Sequence, residues 1–197
     1  NTISFTLSYF GIGVMLSFDP LVSQAVGAGD LSKARSHWWQ GVWLALIVSI
    51  PLMAIAVLIA IFLDQLGIAP ELVDDTRKYM LWRLPAIPGL LLFVVTRSYL
   101  QGFGRASISL WAMVIANIAN YALDVALVLG VGSLAPMGAA GAAIATSLCT
   151  WIQFALLILG LERSDERSPR RPHKESLIAA FRLGAPIGLQ FIAESGI

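Results

Sequence analysis

The run Gly41–Leu63, GVWLALIVSIPLMAIAVLIAIFL, contains no ionisable residue. A helix needs about 20 such residues to cross about 30 Å of hydrocarbon at about 1.5 Å per residue, so this run is long enough to span a bilayer. A soluble helix of this length would need a polar face toward water, and none is available here. Val125–Leu161 is also uncharged, and its turn-forming segment Gly130-Val-Gly-Ser-Leu-Ala-Pro136 divides the end of one span from the start of another. Reading the other apolar runs against Gly, Pro and charge predicts spans near 2–26, 38–63, 79–101, 106–130, 137–161 and 177–197. The fold class that follows is all-α, a polytopic transmembrane helix bundle.

Composition agrees, with 57% hydrophobic and 13% charged residues and a mean hydropathy of +0.78, against about 25% charged in soluble domains. A net charge of +1 gives no basic face for nucleic acid. Cys149, the single cysteine, falls in an apolar span and reads as a small buried hydrophobe, which leaves no disulfide framework. His37 and His173 lack the neighbours a metal site needs. The chain starts without Met and its final apolar run is unfinished at Ile197, so both ends are expected to be internal to a longer protein.

Charge sets the orientation. Lys33, Arg35, Arg105, Arg163, Arg167, Arg170, Arg171 and Lys174, with Arg182 just beyond, fall in or beside alternate loops, whereas the intervening loops hold only Arg77 and Lys78. The positive-inside rule places the first group in the cytoplasm, with the mostly acidic Asp64–Lys78 loop outside. Glu162–Ser176, rich in charge and containing two prolines, reads as a solvated linker. Asp30 or Ser32 is placed to cap the helix that follows the first loop.

Asp124 carries the clearest chemistry. A carboxylate within hydrocarbon costs about 2.5–3.5 kcal/mol on insertion scales unless it is solvated, paired or protonated. Asn117, Asn120 and Asp124 share one helix face and together can hold a proton or a small cation. The alternative is a hydrated carboxylate near the outer interface, with the two asparagines as interhelical hydrogen bonds. Glu194 meets the same energetic argument in the last span. Gln24, Met113 and Tyr121 are weaker candidates for a cavity that takes aromatic cations. Asp19, beside Pro20, fits a capping or a transport role equally, and Arg97 can snorkel to the cytoplasmic interface.

Four segments resemble the multidrug and toxin extrusion (MATE) family in sequence and order: Asp19-Pro-Leu-Val-Ser-Gln-Ala-Val-Gly-Ala-Gly-Asp30, Tyr99-Leu-Gln-Gly-Phe-Gly-Arg105, Met137-Gly-Ala-Ala-Gly-Ala-Ala-Ile-Ala-Thr-Ser147, and Leu183-Gly-Ala-Pro-Ile-Gly188 followed by Glu194. The resemblance implies helices two to six of a first lobe over residues 1–161, a cytoplasmic linker over 162–176, and the start of a second lobe over 177–197. It implies a multi-pass transporter of the bacterial inner membrane, built from two pseudo-symmetric lobes. Such a transporter exports organic cations or drugs in exchange for H+ or Na+, with no other cofactor. Asn120-x-x-x-Asp124 is similar to the family's first-lobe coupling arrangement, and Glu194 to its seventh-helix acidic position; any Na+ is expected at one of these. A lipid-linked oligosaccharide flippase of the same superfamily is the alternative. An intramembrane enzyme or a structural membrane subunit is the alternative from a different class. The spans lack the paired acidic, Ser/His or His-rich motifs that an enzyme needs.

Overall fold

The computed structural model describes residues 2–65, 69–131, 135–161 and 170–195, with side chains described for residues 6–194 of those ranges. They form α1 (Thr2–Met15), α2 (Phe18–Gly27), α3 (Leu31–Ile61), α4 (Pro70–Arg83), α5 (Ala86–Gly102), α6 (Ala106–Val128), α7 (Gly138–Leu159) and α8 (Lys174–Ser195). Among the described residues there is no strand.

Prolines decide where the spans bend. Pro20 has no N–H to offer the Leu16 carbonyl, which takes the Asp19 N–H at 3.1 Å instead, while the Ser17 hydroxyl donates to the Val14 carbonyl at 2.8 Å. Together α1 and α2 therefore form one bent span. Likewise Pro85 and Pro88 deprive the Leu81 and Leu84 carbonyls of their helical donors, and the N–H groups of Leu84 and Ile87 bond them at 3.2 and 3.1 Å. There α4 and α5 meet at a 42° bend. The bend is held from α7, where Ser147 Oγ donates to the Trp82 carbonyl at 2.8 Å and Trp151 Nε1 to the Pro85 carbonyl at 2.9 Å.

Three boundaries differ from the sequence reading. The loop expected over Asp64–Lys78 is helical from Pro70, because Pro70 opens the helix with a preset φ and Glu71 complements the amino-terminal dipole. Helix α3 starts at Leu31, before residue 38, since Asp30 Oδ1 caps it by accepting the Lys33 N–H at 2.8 Å. Helix α8 starts at Lys174, inside the expected linker. Residues 162–169 of that linker, Arg163 and Arg167 among them, and residues 132–134 of the expected turn lie outside the described residues.

The core lies where α2, α3 and α5 meet, around Phe18, Trp38, Leu91, Val95 and Leu100. Some buried hydroxyls bond within their own helices, as Ser49 does at 2.6 Å to the Ala45 carbonyl and Thr96 at 2.8 Å to that of Leu92. Thr96 also accepts from Trp38 Nε1 at 3.2 Å, joining α3 to α5. One end of the bundle gathers Arg35, Tyr99 and Leu161. At the other end Arg77 bonds the Ala60 carbonyl at 3.0 Å and Asp64 at 2.8 Å. Arg35 and Asp64 thus stand at opposite ends, as the charge pattern requires. On exposed α4, Lys78 at 2.6 Å holds the Asp74 carboxyl below its usual range.

Candidate cation-coupling site

Helix α6 runs against α7 and turns toward it a stripe of Ser109, Ala112, Ala116, Asn120 and Leu123. Leu110, Trp111, Val114 and Ile118 are exposed on its other side. The two helices close tightly near the carboxyl end of α6: a Cβ on Gly141 would lie 2.6 Å from the Leu127 carbonyl oxygen, and Met137 N–H donates to that same carbonyl at 2.9 Å. Only a glycine permits this approach.

Asp124 sits one turn inside the closure. It is four residues short of Val128, so about 6 Å from the carboxyl end of α6 at about 1.5 Å per residue, and Asn117 is close to mid-helix. Asp124 and Asn120 are half-buried and Asn117 is exposed. Across the seam both face Cys149 of α7, on the side of that helix away from Ser147 and Trp151. Asp124 Oδ1 and Asn120 Nδ2 are each buried without a hydrogen-bond partner among the described residues.

The face shared by Asn120 and Asp124 forms as the spacing requires, and no bond joins the two. Gln190 and Glu194, each longer by one methylene, do bond on α8 at 2.8 Å. The unmade bond leaves a buried carboxylate oxygen and a buried amide beside each other in a seam. The carboxylate oxygen can accept a proton or a small cation, because an unpartnered buried acceptor is destabilising by about 1–3 kcal/mol until something binds it, whereas the amide Nδ2 is a donor and takes neither.

The other candidates are not gathered here. Glu194 is exposed on α8, which packs on α1 and α3, whereas α6 packs on α7 and α5. Met113, Asn117 and Tyr121 form an exposed stripe beside the site, with Tyr121 74% exposed. Gln24 is exposed near the end of α2, at the end of the bundle that holds Arg35. Arg97 is half-buried with its Nε enclosed and unpartnered, so at most its terminal nitrogens reach an interface. A cavity of about 280 Å³ opens elsewhere, among α1, α3, α5, α7 and the α4–α5 bend, lined by Tyr9, Ile12, Arg83, Leu90, Thr146 and Thr150 among others. Cys149 was legible in sequence only as a small apolar residue, and its position opposite Asp124 depends on how α6 meets α7.

Among the described residues, five helical stretches, α1 with α2 being one, are long and apolar enough to cross a membrane, and a sixth span arises if the bent α4–α5 pair counts as one. With a carboxylate enclosed between two of them, this defines a multi-pass α-helical membrane protein. The MatE family model matches residues 1–126. The chain belongs to that family. It is 30% identical over 192 residues to the multidrug resistance protein NorM of Aliivibrio fischeri, covering 94% of this chain and 42% of the relative. It is 33% identical over 207 residues to a probable multidrug resistance protein NorM of Bradyrhizobium diazoefficiens, covering 100% of this chain and 44% of that protein. The fold matches an inward-facing multidrug resistance MATE family transporter of the MOP superfamily with a TM-score of 0.83, at 20% identity over 98% of this chain and 45% of the other. The eukaryotic MATE transporter AtDTX14 matches at 0.78, with 23% identity over 98% of this chain and 44% of the other. The chain thus spans less than half the length of these relatives.

Proposed function

We propose that this chain supplies the first lobe, and the first helix of the second, of a secondary active transporter in a bacterial inner membrane. It exports organic cations or drugs in exchange for H+ or Na+, and Asp124 is the residue through which the ion acts. The observation that carries the reading is the enclosed, unpartnered carboxylate oxygen Asp124 Oδ1 at the α6–α7 seam. An ion bound there changes the balance between two lobe arrangements only to the extent that it binds them differently, which an enclosed carboxylate at a helix seam allows. The multidrug resistance names of the relatives support the substrate class.

A flippase for a pyrophosphate-linked glycolipid would call for several basic side chains around one cavity. Among the residues lining the 280 Å³ cavity only Arg83 is basic, and it already donates to Tyr79 Oη at 3.1 Å. The test is Asp124→Asn in the full-length protein. The amide keeps the shape, so expression and membrane insertion are expected to stay normal while ion-driven efflux of a cationic dye falls by about tenfold or more, the range of an ordinary coupling free energy. Wild-type efflux across pH and sodium concentration would remove Asp124 from the mechanism.

A further inference from the structure

The segment that leads into α8 is held by its backbone. Gln40, buried on α3 at 3% exposure, donates from Nε2 to the Arg171 carbonyl at 2.9 Å and accepts the His173 N–H on Oε1 at 2.8 Å. Trp43, one turn along α3, donates from Nε1 to the Arg170 carbonyl at 2.9 Å, and the Arg170 guanidinium lies 5.6 Å from the Trp39 ring centroid. The three side chains thus engage three consecutive attachment points, Arg170, Arg171 and His173, mostly through main-chain atoms. Beside this contact, a cavity of about 380 Å³ lined by Phe18, Leu21, His37, Gln40, Ser176 and Leu183 separates the start of α8 from α2 and α3. Leu177 and Ala180 of α8 pack on the core beside it, and the hydrogen bonds attach the segment that precedes them. Deeper along α8 the contact changes character: a Cβ on Gly13 of α1 would run into the Gly188 backbone, and one on Gly184 into that of Val14.

We propose that Trp39, Gln40 and Trp43 form a clasp that pins the start of α8 to the first lobe, making this the fixed end about which the second lobe moves. The proposal rests on the two-lobe reading above. A polar clasp at the cytoplasmic end and a glycine seam within the membrane together constrain α8 at two heights, so it moves with α1 and α3, and lobe motion must be taken up beyond them.

The test is residue-resolved hydrogen exchange on the full-length transporter, with the Leu177 N–H, bonded within the chain to the His173 carbonyl, as the internal reference. His173 N–H is expected to be protected equally in the absence and presence of sodium, low pH and a cationic dye. Gln40→Ala is expected to raise its exchange by about tenfold relative to Leu177, the effect of losing a pair of buried hydrogen bonds. Trp43→Phe, at a partly exposed position that tolerates the change, is expected to widen the distance distribution between spin labels at Ser32 and Glu175, which in the parent stays within about 2 Å in all conditions, the scale of shifts between packed helices. Loss of His173 protection on adding ion and dye would mean a latch that opens in each cycle and would overturn the fixed end. Unchanged exchange in Gln40→Ala, or an unchanged distribution in Trp43→Phe, would overturn the clasp. None of these readouts requires transport, so the clasp can fail while Asp124 coupling stands, and the reverse.

Discussion

Replacing Gly184 by alanine tests how α8 is held against α1. The added Cβ would press on the Val14 carbonyl oxygen and lie 2.7 Å from Val14 Cα, and every close atom belongs to backbone that cannot rotate away. Overpacking of this kind is destabilising by about 1–3 kcal/mol. Against that, alanine is favoured over glycine in a helix interior by about 0.5–1 kcal/mol. The net expectation is a loss of about 0–2.5 kcal/mol, localised to the α1–α8 contact. Gly27→Ala provides the opposite case, since nothing lies within 4 Å of its Cβ position and its φ is ordinary, so only the helix gain remains. Thermal unfolding of the purified full-length protein in one detergent compares the two, at about 2–4 °C per kcal/mol for chains of 150–250 residues and less for longer ones. Gly184→Ala is expected to melt lower than the parent, and Gly27→Ala at the same temperature or higher. If Gly184→Ala melted at or above the parent temperature, the α1–α8 seam would not be a backbone contact, and the glycine part of the two-height attachment of α8 would go with it.

The other expectations concern single contacts. Ser147→Ala strips the Trp82 carbonyl at the α4–α5 bend of its donor and is expected to destabilise by about 1–3 kcal/mol, read as a lowered melting temperature; Ser147→Thr, which keeps the hydroxyl, should recover most of it. Asp30→Ala removes the cap of α3 and is expected to be destabilising by about 1 kcal/mol, seen as faster amide exchange at Lys33 with little change deeper in the helix.

The spans were legible because charge is so unfavourable in hydrocarbon that its absence over a long run admits few other readings. The helix at Pro70–Arg83 was hidden by the same reasoning: its charges marked it as a loop, although Pro70 and Glu71 carry an ordinary helix start. The bends at Pro20 and Pro85 were legible in kind, since each proline removes a named donor, but the capping of the second bend from α7 was not. Gln40 was invisible for a different reason. Its partners lie 131 and 133 residues away, and an uncharged amide just ahead of an apolar run has no local signature that separates a clasp from a surface residue.

The candidate site shows where spacing stops being informative. Asn120–Asp124 and Gln190–Glu194 have the same separation in sequence, and both pairs share a helix face. In α8 the longer side chains meet at 2.8 Å, so Glu194 already has a donor. In α6 the shorter ones do not meet, and Gly141 brings α7 close to the seam in which Asp124 Oδ1 is buried without a partner. An ion offered to Glu194 displaces an existing partner, whereas one offered to Asp124 Oδ1 supplies a partner that is lacking. The preference for Asp124 over Glu194 as the coupling group therefore rests on an unmade bond in α6 and on a glycine in the facing helix, neither of which a count of intramembrane carboxylates takes into account.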